Sequence, residues 1–144
     1  MVKFIYNNHQ TRNVDRDKVV VNVIRLAKNY IDLPSYILVE YKALADHIYA
    51  ETLFDRQMKN KITLNEQLGI KEVIKPVIHE LLHLEQIHTG KLAVYKSGDI
   101  LYEGKSYFLR DQENLSYEEY CNLPWEFDVR LKETKLFDKI MGTV

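Results

Sequence analysis

Apolar residues recur along this chain with two periods, and the places where the period changes divide it into elements. The stretch 3–6 is a short apolar run that reads as a first strand, and 7–15 is a polar turn. Between 16 and 30, Val20, Val23, Ile24, Ala27 and Tyr30 return at steps of three and four, the spacing of a one-sided helix. Pro34 stops that pattern. The run 36–41 then reads as a strand buried on both faces, 47–54 as a strand of partial alternation, and 61–65 as a half-exposed strand. Three strands in succession with short polar connections predict a mainly antiparallel meander.

The central segment is helical and unusually apolar. Val73, Val77, Leu81 and Leu84 share one side, and Ile74, Ile78 and Leu82 widen that stripe to most of the circumference, as in a buried helix. Pro76 fits the first turn of a helix beginning near Lys75, or kinks a longer one beginning near Ile70, and Gly90 is placed to end it. Two short apolar runs, 92–95 and 100–102, flank a turn containing Gly98 and predict a β-hairpin, with a further extended piece at 104–110. A tyrosine-rich loop with a helical turn is expected over 113–122. Pro124 opens a last helix with Trp125, Val129, Leu131, Leu136, Phe137 and Ile140 on its apolar face. The expectation is one α+β domain over 1–144: helix, small three-stranded sheet, central helix, hairpin, helix.

Composition narrows the functional classes. A net charge of −1 over 144 residues offers no concentrated basic surface, so a nucleic-acid partner is not expected. Cys121 is the single cysteine, which excludes an intramolecular disulfide and a cysteine-built metal site. The N-terminus turns polar too soon for a signal peptide and no apolar run has membrane-spanning length, so the expected setting is cytoplasmic, without a membrane partner. Oligomeric state is not legible.

The chemistry lies in the central helix, where His79 and His83 bracket Glu80, Leu81 and Leu82. Residues four apart stand on one helix face, so both imidazoles can address one metal ion. Glu80, about 100° round from His79, is beside such an ion and suited to take a proton from water, as in a zinc hydrolase. A catalytic zinc takes three protein ligands, and the candidates for the third are His88, Glu85, Glu126 and Asp128. His88 and Glu85 point away unless the helix breaks, which leaves a carboxylate of the last helix as the better geometry. His9 and His47 have no ligand-like spacing and read as solvated or strand-end residues. A di-iron carboxylate site has only half its pattern here, in Glu80 and His83.

The run from His79 to Gln86, followed by Tyr120 to Asp128, resembles the small zinc metallopeptidases of the gluzincin type, especially the minigluzincins and related phage and bacterial proteins. The resemblance covers most of the chain in architecture and is specific at those two places. It implies a zincin-like fold, zinc (Zn2+) as cofactor, His79, His83 and Glu126 as its ligands, and Glu80 as general base acting on a peptide or protein substrate. It also makes Tyr120, with Tyr117 as second candidate, the donor to the oxyanion. Asp128 would orient an imidazole from outside the ligand set. Where related peptidases carry an acidic residue and alanine after the ligand, this chain has Asp128, Val129 and Arg130, and Arg130 cannot replace an orienting aspartate. An exposed sheet edge, 62–65, is a place for substrate to add as a strand. Two rivals stay open: a zinc-binding but catalytically idle interaction or regulatory protein, and a protein without metal in which His79 and His83 are satisfied by buried carboxylates such as Glu126.

Overall fold

The computed structural model describes residues 1–44, 50–51, 60–95, 99–108 and 116–143. The chain opens with β1 (Val2–Tyr6), a single 3₁₀ turn (His9–Thr11) and helix α1 (Val14–Ala27). Asn13 starts α1 by accepting the backbone N–H of Arg16 on its side chain, as an N-cap residue does. Strand β2 (Ile37–Lys42) follows, then β3 (Ala50–Glu51) and β4 (Lys61–Asn65).

These four strands form one sheet in the order β1-β2-β4-β3, and here the predicted antiparallel meander is corrected. β1 pairs parallel with β2, with Val2 opposite Ile37 and Tyr6 opposite Tyr41, and β2 pairs parallel with β4. Only β3 runs antiparallel, against β4. The physical reason is connection length. α1 carries the chain from the end of β1 back to the start of β2, the crossover a parallel pair requires, and the stretch between β2 and β4 is likewise long enough to return. The strand predicted at 47–54 is described only at Ala50–Glu51, and His47 lies outside the described residues.

Strand β4 also departs from expectation. It is interior, between β2 and β3, so Thr63 and Asn65 are buried along with Ile62 and Leu64. It is therefore not a free edge for substrate. β2, expected to be buried on both faces, has Ile37, Leu38, Val39 and Tyr41 all buried.

Helix α2 (Ile74–His88) packs on β4 and against α1. Pro76 is its third residue, where the backbone N–H has no intrahelical partner to lose, so the helix is not kinked there. Gly90, just beyond Thr89, takes φ of +79° and donates its N–H to the Ile87 carbonyl. A side chain would strain that left-handed turn. The main core joins α1, β2, β4 and α2 to Val129, Leu136 and Ile140.

A second, three-stranded antiparallel sheet follows: β5 (Leu92–Val94), β6 (Asp99–Tyr102) and β7 (Lys105–Phe108). It contains the predicted hairpin and adds the third strand expected after Gly104. Helix α3 (Tyr117–Cys121) starts in a capping box, with Ser116 and Glu119 each bonding the other's backbone N–H. Helix α4 (Pro124–Thr143) completes the chain. Leu131, predicted on its apolar face, is 66% exposed. The buried face runs instead through Trp125, Val129, Leu136 and Ile140, and Leu131 is turned to the opposite side. No described helix is long and apolar enough to cross a membrane.

Candidate metal centre

Two consecutive residues fix the rotation of α4. Trp125 faces the second sheet, edge-on to Tyr102 and Tyr107 at 6.1 and 5.3 Å between ring centroids, and is buried with Leu92 and Ile100. Burying such a ring is worth about 3–5 kcal/mol relative to alanine. Glu126, one residue and about 100° further round the helix, is thereby turned toward α2, where it is 3% exposed.

Glu126 meets both histidines of α2. His79 Nε2 lies 3.3 Å from its Oε2, and His83 Nε2 lies 2.9 Å from its Oε1. The two imidazoles stand edge to face with centroids 5.0 Å apart. His79, His83 and Glu126 are the one group among the described residues that could hold a metal ion, with all three ligand atoms within 4.8 Å of one another. His83 Nε2 and Glu126 Oε2 are buried and have no hydrogen-bond partner. The 2.9 Å approach of His83 to Glu126 is therefore an ion-pair distance without the alignment of an N–H···O bond. Buried polar atoms left open in this way carry a penalty that a cation bound between them would remove.

The outer nitrogens are held as a metal site requires. Gln86 donates its amide N–H groups to the Trp125 carbonyl (2.9 Å) and to Asp128 Oδ2 (3.1 Å), so its Oε1 is the acceptor facing His83 Nδ1 at 2.9 Å. Glu133 Oε2 faces His79 Nδ1 at 2.6 Å and, as a carboxylate, can only accept. These partners fix a proton on each Nδ1, so that when a ring gives up its second proton, as a metal ligand must, it is Nε2 that becomes the free donor atom facing Glu126.

Electrostatics follow from this packing. Burial opposes a charge on His79, but Glu126, Glu133 and Glu80 outweigh it and raise its pKa from 6.5 to about 10. His83 is raised as well, against burial, by Glu126 and Glu80. Burial also works against an ionised Glu126, yet His79, His83 and the Tyr120 hydroxyl hold its pKa far below the usual carboxylate range. Glu80 is 4% exposed and acts on both imidazoles. Tyr120 donates to Glu126 Oε1 at 2.6 Å from α3, and burial together with the Glu126 charge keeps its phenol protonated.

The remaining candidates are placed elsewhere. Glu85 accepts the backbone N–H of Asp32 at 2.8 Å, and His88 lies 3.6 Å from the Asp32 carboxylate, so neither joins the cluster. Asp128 touches no imidazole. It binds Gln86, Lys91 and Lys132 and reaches His83 only through the Gln86 amide. Tyr117 is 74% exposed with its ring under the Arg130 guanidinium. Glu133 and Gln86 escaped the sequence reading. Gln86 is three residues after His83 and Glu133 seven after Glu126, spacings that put each on its partner's helix face. Neither spacing is distinctive without knowing that α2 and α4 pack together.

Compared with known protein families, curated proteins and solved structures, the chain matches none.

Proposed function

We propose that this chain is a zinc-dependent peptidase. The observation that carries the reading is the convergence of His79 Nε2, His83 Nε2 and the Glu126 carboxylate, two of whose atoms lack any hydrogen-bond partner, beside a buried Glu80. The donor set, two imidazoles and one carboxylate, suits zinc with a coordination position left open. Zinc bound there supplies a water of lowered pKa and a Lewis acid for the scissile carbonyl.

The chain's own residues account for the rest. Glu80 accepts the proton of the attacking water and passes it to the leaving amine. Tyr120, kept protonated beside Glu126, is a donor for the developing oxyanion, its hydroxyl turning from Glu126 Oε1 to the substrate. Glu133 and Gln86 hold the two rings so that each presents Nε2. The parallel sheet contributes a rigid base for α2.

The test is metal content together with turnover on a peptide library. About one zinc per chain, with Glu80→Gln retaining the metal and losing about 10²–10⁴ in rate, is the expected result. Zinc bound in equal amount by wild type and Glu80→Gln, with no cleavage by either, would instead identify an idle zinc-binding protein. A chain that takes up no zinc on reconstitution would sink both.

A further inference from the structure

Arg130 occupies the position one helical turn after Glu126 and just short of one turn before Glu133. On the helix it stands about 40° round from Glu126, at the border between the buried face of α4 and the exposed side that carries Phe127 and Leu131, which are 50% and 66% exposed. Its place one turn from Glu126, over the ring of Tyr117 on the helix that also carries Tyr120, sets the guanidinium on the side of α4 next to the histidine–glutamate group. Among the described residues it forms no ion pair. Its Nε is buried without a hydrogen-bond partner, and its one defined contact is the face of the Tyr117 ring, 5.6 Å from Cζ to centroid.

A guanidinium over an aromatic ring still has N–H donors to offer, and none of Arg130's is bonded to a described residue. The edge of the group is a planar fork of N–H donors that matches a carboxylate with two parallel bonds. Arg16 Nε is buried and unpaired as well, but that guanidinium bonds three carbonyls through its other nitrogens, whereas Arg130 has no hydrogen bond to any described residue. The nearest contrast is on the same helix, where Lys132 is paired with Asp128, as is Lys91 just ahead of the second sheet. Arg130 has no such carboxylate among the described residues.

We infer that Arg130 is a specificity residue that receives a carboxylate of the peptide substrate, with the Tyr117 ring as its platform. The inference rests on the peptidase reading for the nature of the ligand and on the unpaired guanidinium for its charge. Two sources offer that chemistry, the C-terminal carboxylate of a peptide and an acidic side chain. The exposed Phe127 and Leu131 alongside give room for an apolar neighbour of the same residue.

The experiment uses full-length Glu80→Gln protein, in which cleavage is suppressed, titrated with three acetylated tripeptides and followed by the Arg130 Nε–H resonance. The peptides are an all-alanine one with a free C-terminus, the same sequence amidated, and an amidated one carrying a single aspartate. Either carboxylate-bearing peptide should bind about tenfold or more tightly than the uncharged one, the effect of one charge-assisted pair, and should move that resonance. Which of the two does so identifies the source. Arg130→Gln should abolish the difference and Arg130→Lys should restore part of it, with thermal unfolding showing both variants folded. Equal binding of the three peptides, no binding of any, or discrimination that survives Arg130→Gln would overturn the inference. Carboxylate-dependent binding by a wild-type protein that cleaves nothing would sink the peptidase reading and leave this one standing.

Discussion

Arg16 and Arg130 both bring a guanidinium into the body of the molecule, and the fold treats them in opposite ways. Arg16 is 2% exposed, with Nη1 bonded to the carbonyls of Glu66 and Leu68 at 2.9 Å, Nη2 to that of Thr11 at 3.0 Å, and Cζ 4.0 Å above the Tyr41 ring. Its charge is absorbed by main-chain oxygens from three places in the sequence. It ties the start of α1 to the stretch that leads from β4 toward α2. Arg130 binds no carbonyl and no carboxylate among the described residues. The same contrast separates the regions around them. At the sheet end, Tyr6 donates to Asp17 and stacks on Tyr41, and the polar groups there are closed in by rings and strands. Between α2 and α4, His79 remains 20% exposed in its side chain and Tyr120 43% exposed overall. Both regions keep buried polar atoms without a hydrogen-bond partner, Arg16 Nε, Asp17 Oδ1 and the Tyr41 hydroxyl at the sheet end and His83 Nε2, Glu126 Oε2 and Arg130 Nε between the helices. The difference is that the helix pair sets its open atoms beside the partly exposed His79 and Tyr120, where a ligand can reach them.

The largest effect should come from the ligand set itself. Glu126→Ala is expected to abolish stoichiometric zinc while Asp128→Ala keeps it, measured by elemental mass spectrometry; equal retention in both would move the site elsewhere. Next, Arg16→Met should cost at least about 3 kcal/mol of unfolding free energy, since three carbonyls, one of them in a fully buried bond, lose a charged donor. Arg130→Gln should cost less than about 1 kcal/mol, the scale of a cation–π contact. Urea unfolding of the two variants tests the comparison directly, and similar losses would erase it.

Smaller effects distinguish the partners of the two imidazoles. Glu133→Ala should weaken zinc by about 10–100-fold, as loss of an orienting carboxylate does. Asp128→Asn should weaken it less, because Asp128 acts only through Gln86. Competition with a chromophoric chelator gives both values, and the reverse order would return the orienting role to Asp128.

The weakest dependence is on pH. A His79 pKa raised from 6.5 to about 10 stabilises the metal-free fold fully below 6.5, and that contribution is lost as pH rises through about 10. A lowered Glu126 pKa stabilises above its ordinary 4.5 and is lost as pH falls below it. Metal-free protein should therefore be most stable between 4.5 and 6.5 as far as this cluster decides. Zinc binding, which displaces the His79 proton, should strengthen from 6.5 toward 10. Thermal unfolding with and without zinc across that range reads both, and parallel profiles would contradict the assignment.

Local pattern reached most of the elements. The three-and-four spacing of Val20, Val23 and Ile24 gives α1, Gly90 gives the end of α2, and Pro124 gives the start of α4. Leu131 was misplaced because an apolar residue was taken to be a buried one, and a helix of 20 residues has room for apolar side chains on its solvent side. The strand directions were misread because pairing consecutive strands ignores how far the intervening chain can travel.

The convergence of His79 and His83 was legible in the sequence alone, since a four-residue spacing on a helix leaves the side chains little freedom in relative direction. Glu126 was legible through its place just after Pro124. Only the tertiary structure decided that Glu133 rather than Asp128 faces His79, that Gln86 sets the His83 tautomer, and that Arg130 has no ion pair among the described residues. Those facts depend on the rotation of α4 against α2, which is fixed where Trp125 of α4 packs on the second sheet. A relation between elements so far apart in the chain has no local signature for a sequence to carry.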